Sequence, residues 1–134
     1  MQEIVSVTTS KKEEMIDITS LVNAVISKSG VNKGLCLIYA MHSTAAVIIN
    51  ENADPNICLD IQDAMDKLIP QGAWRHDALD GNAAAHIKAA ILGPCKMMPI
   101  KDGQLLLGTW QSPMLVEFDG PRKARQVAVH IQGE

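Results

Sequence analysis

The sequence predicts an α+β domain with mostly antiparallel strand pairing. Three observations lead there. Apolar segments of strand character cluster at both ends of the chain, and three segments with helical spacing fall between them. Two Asp-Gly dipeptides, Asp102-Gly103 and Asp119-Gly120, separate apolar runs in the C-terminal third, where tight turns belong.

Taken in order, "EIVSVTT" alternates with period two and reads as a strand, and a short second strand follows around "EEMIDI". "TSLVNAVISKSG" then carries Leu21, Val22, Val25 and Ile26 at helical spacing and stops at Gly30, a residue suited to a left-handed cap. "GLCLIYAMHSTAAVIIN" is too rich in β-formers for a helix and reads as one long or bent strand, or two in succession. Asp54 as N-cap and Pro55 at the first helical position open the second helix. Ile57, Ile61, Met65 and Leu68 form its apolar face, and Asp60, Asp63 and Asp66 fall off that face as solvated charges. "NAAAHIKAAILGP" reads as a third, short helix with Asn82 as N-cap and Gly93-Pro94 as its stop. "CKMMPI" and "QLLLGTW" flank a hairpin turn at Lys101-Asp102-Gly103, and "PMLVEF" and "RQVAVHIQ" flank the turn at Asp119-Gly120. About seven or eight strands and three helices result.

A length of 134 residues fits one domain, residues 1–134, with a real core. The net charge of −3 is small and no basic patch stands out, so nucleic acid and anionic membrane are poor partners. No apolar run approaches the roughly 20 residues that span a bilayer. The opening "MQEIVSVTTSKKEEM" lacks the basic and apolar regions of a signal peptide, and Cys36, Cys58 and Cys95 are scattered without a CxxC pair. A cytoplasmic protein with reduced thiols is the expectation. Trp74, Trp110, Tyr39 and Phe118 are the whole aromatic supply, too few for a base-stacking platform.

Three of the four histidines invite a chemical reading. His42 shares strand parity with Cys36, Ile38 and Ala40, which makes it a satisfied core histidine or a ligand. His86 falls in the first turn of the third helix, and His76 lies in a polar loop between Arg75 and Asp77. Three imidazoles with an open fourth position suit a catalytic zinc and need no thiolate. The set lacks a local signature such as HExxH, so chance stays an open explanation from spacing alone. His130 shares parity with Gln126 and Gln132, opposite the core face of Val127, Val129 and Ile131, and reads as a surface residue.

The blocks "HSTAAVIINENADP", "RHDALDGNAAAHIKAAILG" and "LLLGTWQSPMLVEFDGPRKARQVAVHIQGE" resemble the YjbQ family over essentially the whole chain. Ser43 stands where Thr is common after the first histidine, and His130 stands where the family has another strand residue. The resemblance implies a compact α+β fold built around a β-sandwich, a homotrimer, and a metal, commonly zinc, held by His42, His76 and His86. It also implies a weak or secondary thiamine-phosphate synthase activity, which joins a pyrimidine methyl diphosphate to a thiazole phosphate and releases pyrophosphate. The usual synthase is a (β/α)₈ barrel of about 250 residues, which this chain cannot form. Its diphosphate leaving group ordinarily calls for a hard cation such as magnesium, whereas an all-imidazole site prefers zinc.

Around such a metal, Glu51 is the expected general base or acceptor for a ligand imidazole, unless the Asn50-Glu51 pair only caps its strand. Asp77 and Asp80 are placed to accept from ligand imidazoles or to solvate the loop. Arg75, Lys88 and Arg122 are the cations an anionic metabolite would seek; Lys88 equally reads as solvent-facing and Arg122 as surface charge. Thr109, Trp110 and Gln111 suit a pocket wall, with burial of Trp110 in the core or an interface as the alternative. The expectation is a metal-dependent enzyme of a small anionic metabolite, with Glu51, Lys88, Trp110 and Gln111 in the chemistry. The alternative is a non-catalytic metal- or ligand-binding trimer.

Overall fold

A computed structural model describes residues 1–134 as eight strands, three α-helices and a 3-10 turn. The strands are β1 (Gln2–Val7), β2 (Glu14–Asp17), β3 (Gly34–Ala40), β4 (Ala45–Glu51), β5 (Cys95–Lys101), β6 (Gln104–Leu105), β7 (Gln111–Glu117) and β8 (Arg125–Gly133). The helices are α1 (Thr19–Ser29), α2 (Pro55–Leu68) and α3 (Ala83–Leu92), with the 3-10 turn at Arg75–Ala78. The strands form a large sheet in the order β1-β8-β3-β5-β6 and a small one in the order β2-β7-β4. Every neighbouring pair is antiparallel, so the α+β class holds.

The main core lies between the sheets. Cys36, Ile38, Val127, Val129 and Ile131 from the large sheet meet Ala45, Val47 and Leu115 from the small one, with Val22, Val25 and Ile26 of α1 closing one side. On its other face the small sheet turns Ala46, Val116 and Phe118 against Ala85 and Ala89 of α3. Burial on both faces explains why "AAVII" and "PMLVEF" read as continuous apolar runs. Helix α2 adds an outer layer, packing Met65 and Ile69 against Ala84 of α3.

Several local signals act as the sequence predicts. Gly30 caps α1 in the left-handed region at φ 71°. The Asp54 carboxylate accepts from the Asn56 N–H at 2.9 Å, with Pro55 at the first position of α2. Asp102 and Gly103, at φ 54° and 75°, make the two-residue turn between β5 and β6.

Other expectations are corrected. "GLCLIYAMHSTAAVIIN" is two strands in succession, one of the two readings its sequence allows, and they lie in different sheets; what is corrected is the strand placement of His42, which lies in the Met41–Thr44 turn. The Asp119-Gly120 segment is not a hairpin: β7 and β8 belong to different sheets, and the segment carries the chain across the core. Of "QLLLGTW" only Gln104–Leu105 pairs. Leu68 points to solvent, 75 % exposed, and Ile69 packs instead at 6 %. His130 faces outward from the large sheet, half-buried, as its parity predicts. That outer face is uncovered and apolar. Ile4, Ala128, Tyr39 and Cys95 stand in one row across β1, β8, β3 and β5, with Leu35 and Met97 nearby, and Ile4, Leu35, Tyr39 and Met97 are each exposed.

Candidate functional site

The site is built where the chain crosses from the large sheet to the small one. Past the end of β3, the Met41 N–H still donates to the Gln126 carbonyl at 3.0 Å. The Gln126 N–H then donates to Nε2 of His42 at 2.7 Å. The imidazole thus takes the place of a backbone acceptor at the end of the β3–β8 ladder. Burial, and then the charge of Arg125, disfavour the imidazolium, with a smaller push from Arg122 and partial opposition from Glu117; the His42 pKa falls below its ordinary 6.5.

Beneath that turn lies a buried polar network. Arg125 Nε donates to both Glu117 oxygens at 2.9 and 3.1 Å, and its Nη2 donates to Glu117 Oε2 and to Thr44 Oγ1, the latter at 2.8 Å. Glu117 also accepts from Thr9 Oγ1 at 2.7 Å and from the Asp119 N–H at 3.1 Å. Burial alone would raise the Glu117 carboxyl, but these donors hold it below the usual range. None of Thr9, Thr44, Glu117 or Arg125 is in the set predicted from sequence. A signal was available: Arg125 shares parity with core residues Val127, Val129 and Ile131, and a charge at a core position demands a partner.

His86 enters from α3. With His42, Ser43, Ala45, Ala89, Ala90 and Pro94 it lines an open cavity of about 310 Å³. His76 comes from the 3-10 turn, which Asp77 secures: its carboxylate accepts from the Trp74 N–H and the Ala83 N–H, both at 3.1 Å. Asp77 therefore caps α3, the role expected of Asn82. The Asn82 amide instead donates to Asp119 at 2.9 Å and leaves its buried Oδ1 without a partner. Held this way, the His76 and His86 rings meet edge to face, centroids 4.9 Å apart and planes at 84°. Asp80 lies 3.5 Å from Nε2 of His76, so of the two carboxylates only Asp80 faces a histidine.

Two imidazoles sharing one tetrahedral ion at ~2.1 Å from each nitrogen hold their centroids roughly 5 Å apart. The His76–His86 spacing matches that measure, as it matches an ordinary edge-to-face ring pair, whose centroids lie roughly 4.5–7 Å apart. His42 belongs to the same neighbourhood, but its Nε2 is already engaged, and no three His, Cys, Asp or Glu side chains stand together in ligating geometry.

The remaining predicted residues lie elsewhere. Lys88, expected at a substrate or in solvent, is 1 % exposed and pairs with Glu13 at 2.9 Å and with Asp66, its ammonium 5.7 Å from the Phe118 ring centre. Asp66 is thus not a plain solvated charge. Burial lowers the Lys88 pKa, but the two carboxylates outweigh it and the net shift is upward. Burial and the competing Asp66 raise Glu13. Glu51, Trp110 and Gln111 line a separate opening with Ile49 and Asn50. Glu51 sits at the far end of β4 from Ala45, six steps of ~3.3 Å or roughly 20 Å away. Within one chain it cannot reach an atom held by the histidines. The Gln111 amide is occupied, accepting from the Gly108 N–H at 2.8 Å. Arg122 stays near the histidines but is tied to Asp119 at 3.2 Å.

Two antiparallel sheets with a helical outer layer, a cavity lined by His42 from a turn and His86 from a helix, and a loop histidine, His76, packed against His86 define a small α+β protein with a histidine-bearing site. The chain belongs to the family described as UPF0047 protein YjbQ-like, whose profile matches residues 3–134. A UPF0047 protein of Methanocaldococcus jannaschii is 46% identical over 126 residues, covering 94% of this chain and 90% of that protein. The UPF0047 protein YugU of Bacillus subtilis is 41% identical over 125 residues, covering 91% and 92%. Among solved structures, a YbjQ-like protein of unknown function from Sulfolobus solfataricus superposes with a TM-score of 0.95 at 38% identity, covering 100% of this chain and 97% of that one. No helix of the chain is long and apolar enough to cross a membrane.

Proposed function

We propose that this protein is a metal-dependent enzyme acting on a small phosphorylated metabolite, with a divalent metal held by His76 and His86. The observation that carries the reading is the edge-to-face contact of those two rings, one of which also lines the cavity that holds His42 and Ser43. Imidazole donors favour zinc over magnesium or calcium. Such an ion, when bound, polarises a phosphoryl oxygen or acidifies a bound water. The chain's own residues do the rest: Asp80 orients His76, and Asp77 holds the 3-10 turn against α3. Arg122 supplies positive charge beside the cavity, and the buried Arg125–Glu117 pair fixes the turn that carries His42.

Thiamine-phosphate synthase activity, which resemblance to the family implies, is the named reaction to assay first. A homotrimer accords with the uncovered apolar face of the large sheet, where Ile4, Leu35, Tyr39 and Met97 are exposed. Tyr39→Glu places a charge there and is expected to yield monomers in light scattering.

A second reading is a non-catalytic metal-binding trimer. It is favoured by the way the site's wall is continuous with the core through Thr44, Arg125 and Glu117. On that reading, metal removal lowers the melting temperature or trimer content and nothing is turned over.

Elemental analysis of protein purified without chelator tests the primary reading, followed by assays with pyrimidine methyl diphosphate plus thiazole phosphate and with simple phosphoesters. One metal per chain in the wild type, lost in His76→Ala and in His86→Ala, is the expected result. A metal-free wild type overturns it.

A further inference from the structure

We infer that His42 acts as a hydrogen-bond donor to an oxyanion in the cavity, through Nδ1–H, and is not a ligand of the metal. The inference deepens the proposed function, and its metal half rests on His76 and His86 being the ligands.

A neutral imidazole has one protonated nitrogen that donates and one bare nitrogen that accepts. The Gln126 N–H can only donate, and it points at Nε2 from 2.7 Å because the β8 ladder aims it there. Nε2 is therefore bare and occupied, and the ring proton sits on Nδ1. Turning the ring over would place a carbon opposite Gln126 and leave a partly buried backbone amide without an acceptor, so the hydrogen bond also fixes the ring's face. A nitrogen that carries a proton cannot bind a metal, and the other has its lone pair engaged.

What remains is a fixed donor. Nδ1 makes no hydrogen bond within the protein and is not among the buried polar atoms lacking a partner, so it is open to solvent or ligand. His42 lines the same cavity as Ser43 and His86, so an imidazole N–H and a hydroxyl share that cavity with one of the two proposed metal ligands. Neutral donors in a cavity next to a cation suit a phosphoryl oxygen, whose charge they stabilise by hydrogen bonding. The zinc-and-three-histidine arrangement that family resemblance implies does not fit this hydrogen bond; two histidine ligands and one donor do.

Two measurements test this. In metal-free wild-type protein, long-range proton–nitrogen correlation spectra of the His42 ring are expected to show the proton on Nδ1; a proton on Nε2 overturns the assignment whether or not metal binds. By titration calorimetry, His42→Gln is expected to bind zinc within about threefold of wild type, while His86→Ala loses at least a hundredfold. Zinc-loaded His42→Gln is expected to bind inorganic phosphate at least tenfold more weakly than zinc-loaded wild type. Loss of zinc in His42→Gln comparable to His86→Ala makes His42 a ligand and overturns the inference, as does unchanged phosphate affinity. If wild type binds no zinc, the metal reading fails, and the spectra together with phosphate binding to metal-free protein still decide the donor role.

Discussion

Arg125 and Glu117 form an ion pair that closes the crossing from β7 to β8, with their side chains 4 % and 0 % exposed. Glu117 ends the small sheet and Arg125 begins the large one, so the pair staples the two sheets beneath His42. Removing one partner leaves a buried charge unmatched, which costs about 3–5 kcal/mol. Glu117→Gln is expected to lose stability in that range by urea unfolding, and Arg125→Met likewise. The double variant Glu117→Leu/Arg125→Met, which leaves no orphaned charge, should lose less than the sum of the two.

The same carboxylate sets a pH dependence. The folded Glu117 pKa lies below its ordinary 4.5, so the unfolded chain binds the proton more readily. The contribution is fully present above that ordinary value and is lost as pH falls through the depressed folded value. Thermal melts between neutral pH and pH 3 should therefore fall more steeply for wild type than for Glu117→Gln. Parallel curves would remove Glu117 from the acid response.

Lys88 is expected to act on stability rather than on the histidine site. It joins α3 to Glu13 in the segment between β1 and β2 and to Asp66 on α2. Because Asp66 is half-exposed, screening reduces the effect, and Lys88→Met should lose about 1–3 kcal/mol. Metal content per folded chain should not change. A metal-free but fully stable Lys88→Met would contradict this placement.

Glu51 and Trp110 provide a control at the opposite end of the small sheet. Glu51→Gln and Trp110→Ala should leave zinc affinity within about threefold of wild type, because neither residue shares a cavity with the histidines. A tenfold loss in calorimetry would place that end of the molecule at the metal.

Local signals in the sequence mark much of the fold. Asp54-Pro55 starts α2, Gly30 stops α1, and Asp102-Gly103 turns β5 into β6, because each acts through its own backbone and near neighbours. The β3–β4 break was harder to place, since strands buried in two different sheets read as one apolar run. Lys88 reads as solvent-facing from sequence because its partners lie 75 and 22 residues away, and charge at helical spacing ordinarily means solvent. Of the site, the nearness of His76 and His86 was legible as two residues brought together across a turn. The occupation of His42 by Gln126 was not, because it depends on where one strand of the large sheet ends beside another.

The central claim is that His76 and His86 hold a divalent metal at the cavity beside His42. A crystal structure of zinc-loaded protein, with anomalous scattering recorded at the zinc edge, tests it most directly. The predicted result is one zinc within ~2.1 Å of a nitrogen of His76 and of His86, with His42 still accepting from the Gln126 N–H. Zinc coordinated by His42, or no anomalous peak between the two rings, would contradict it.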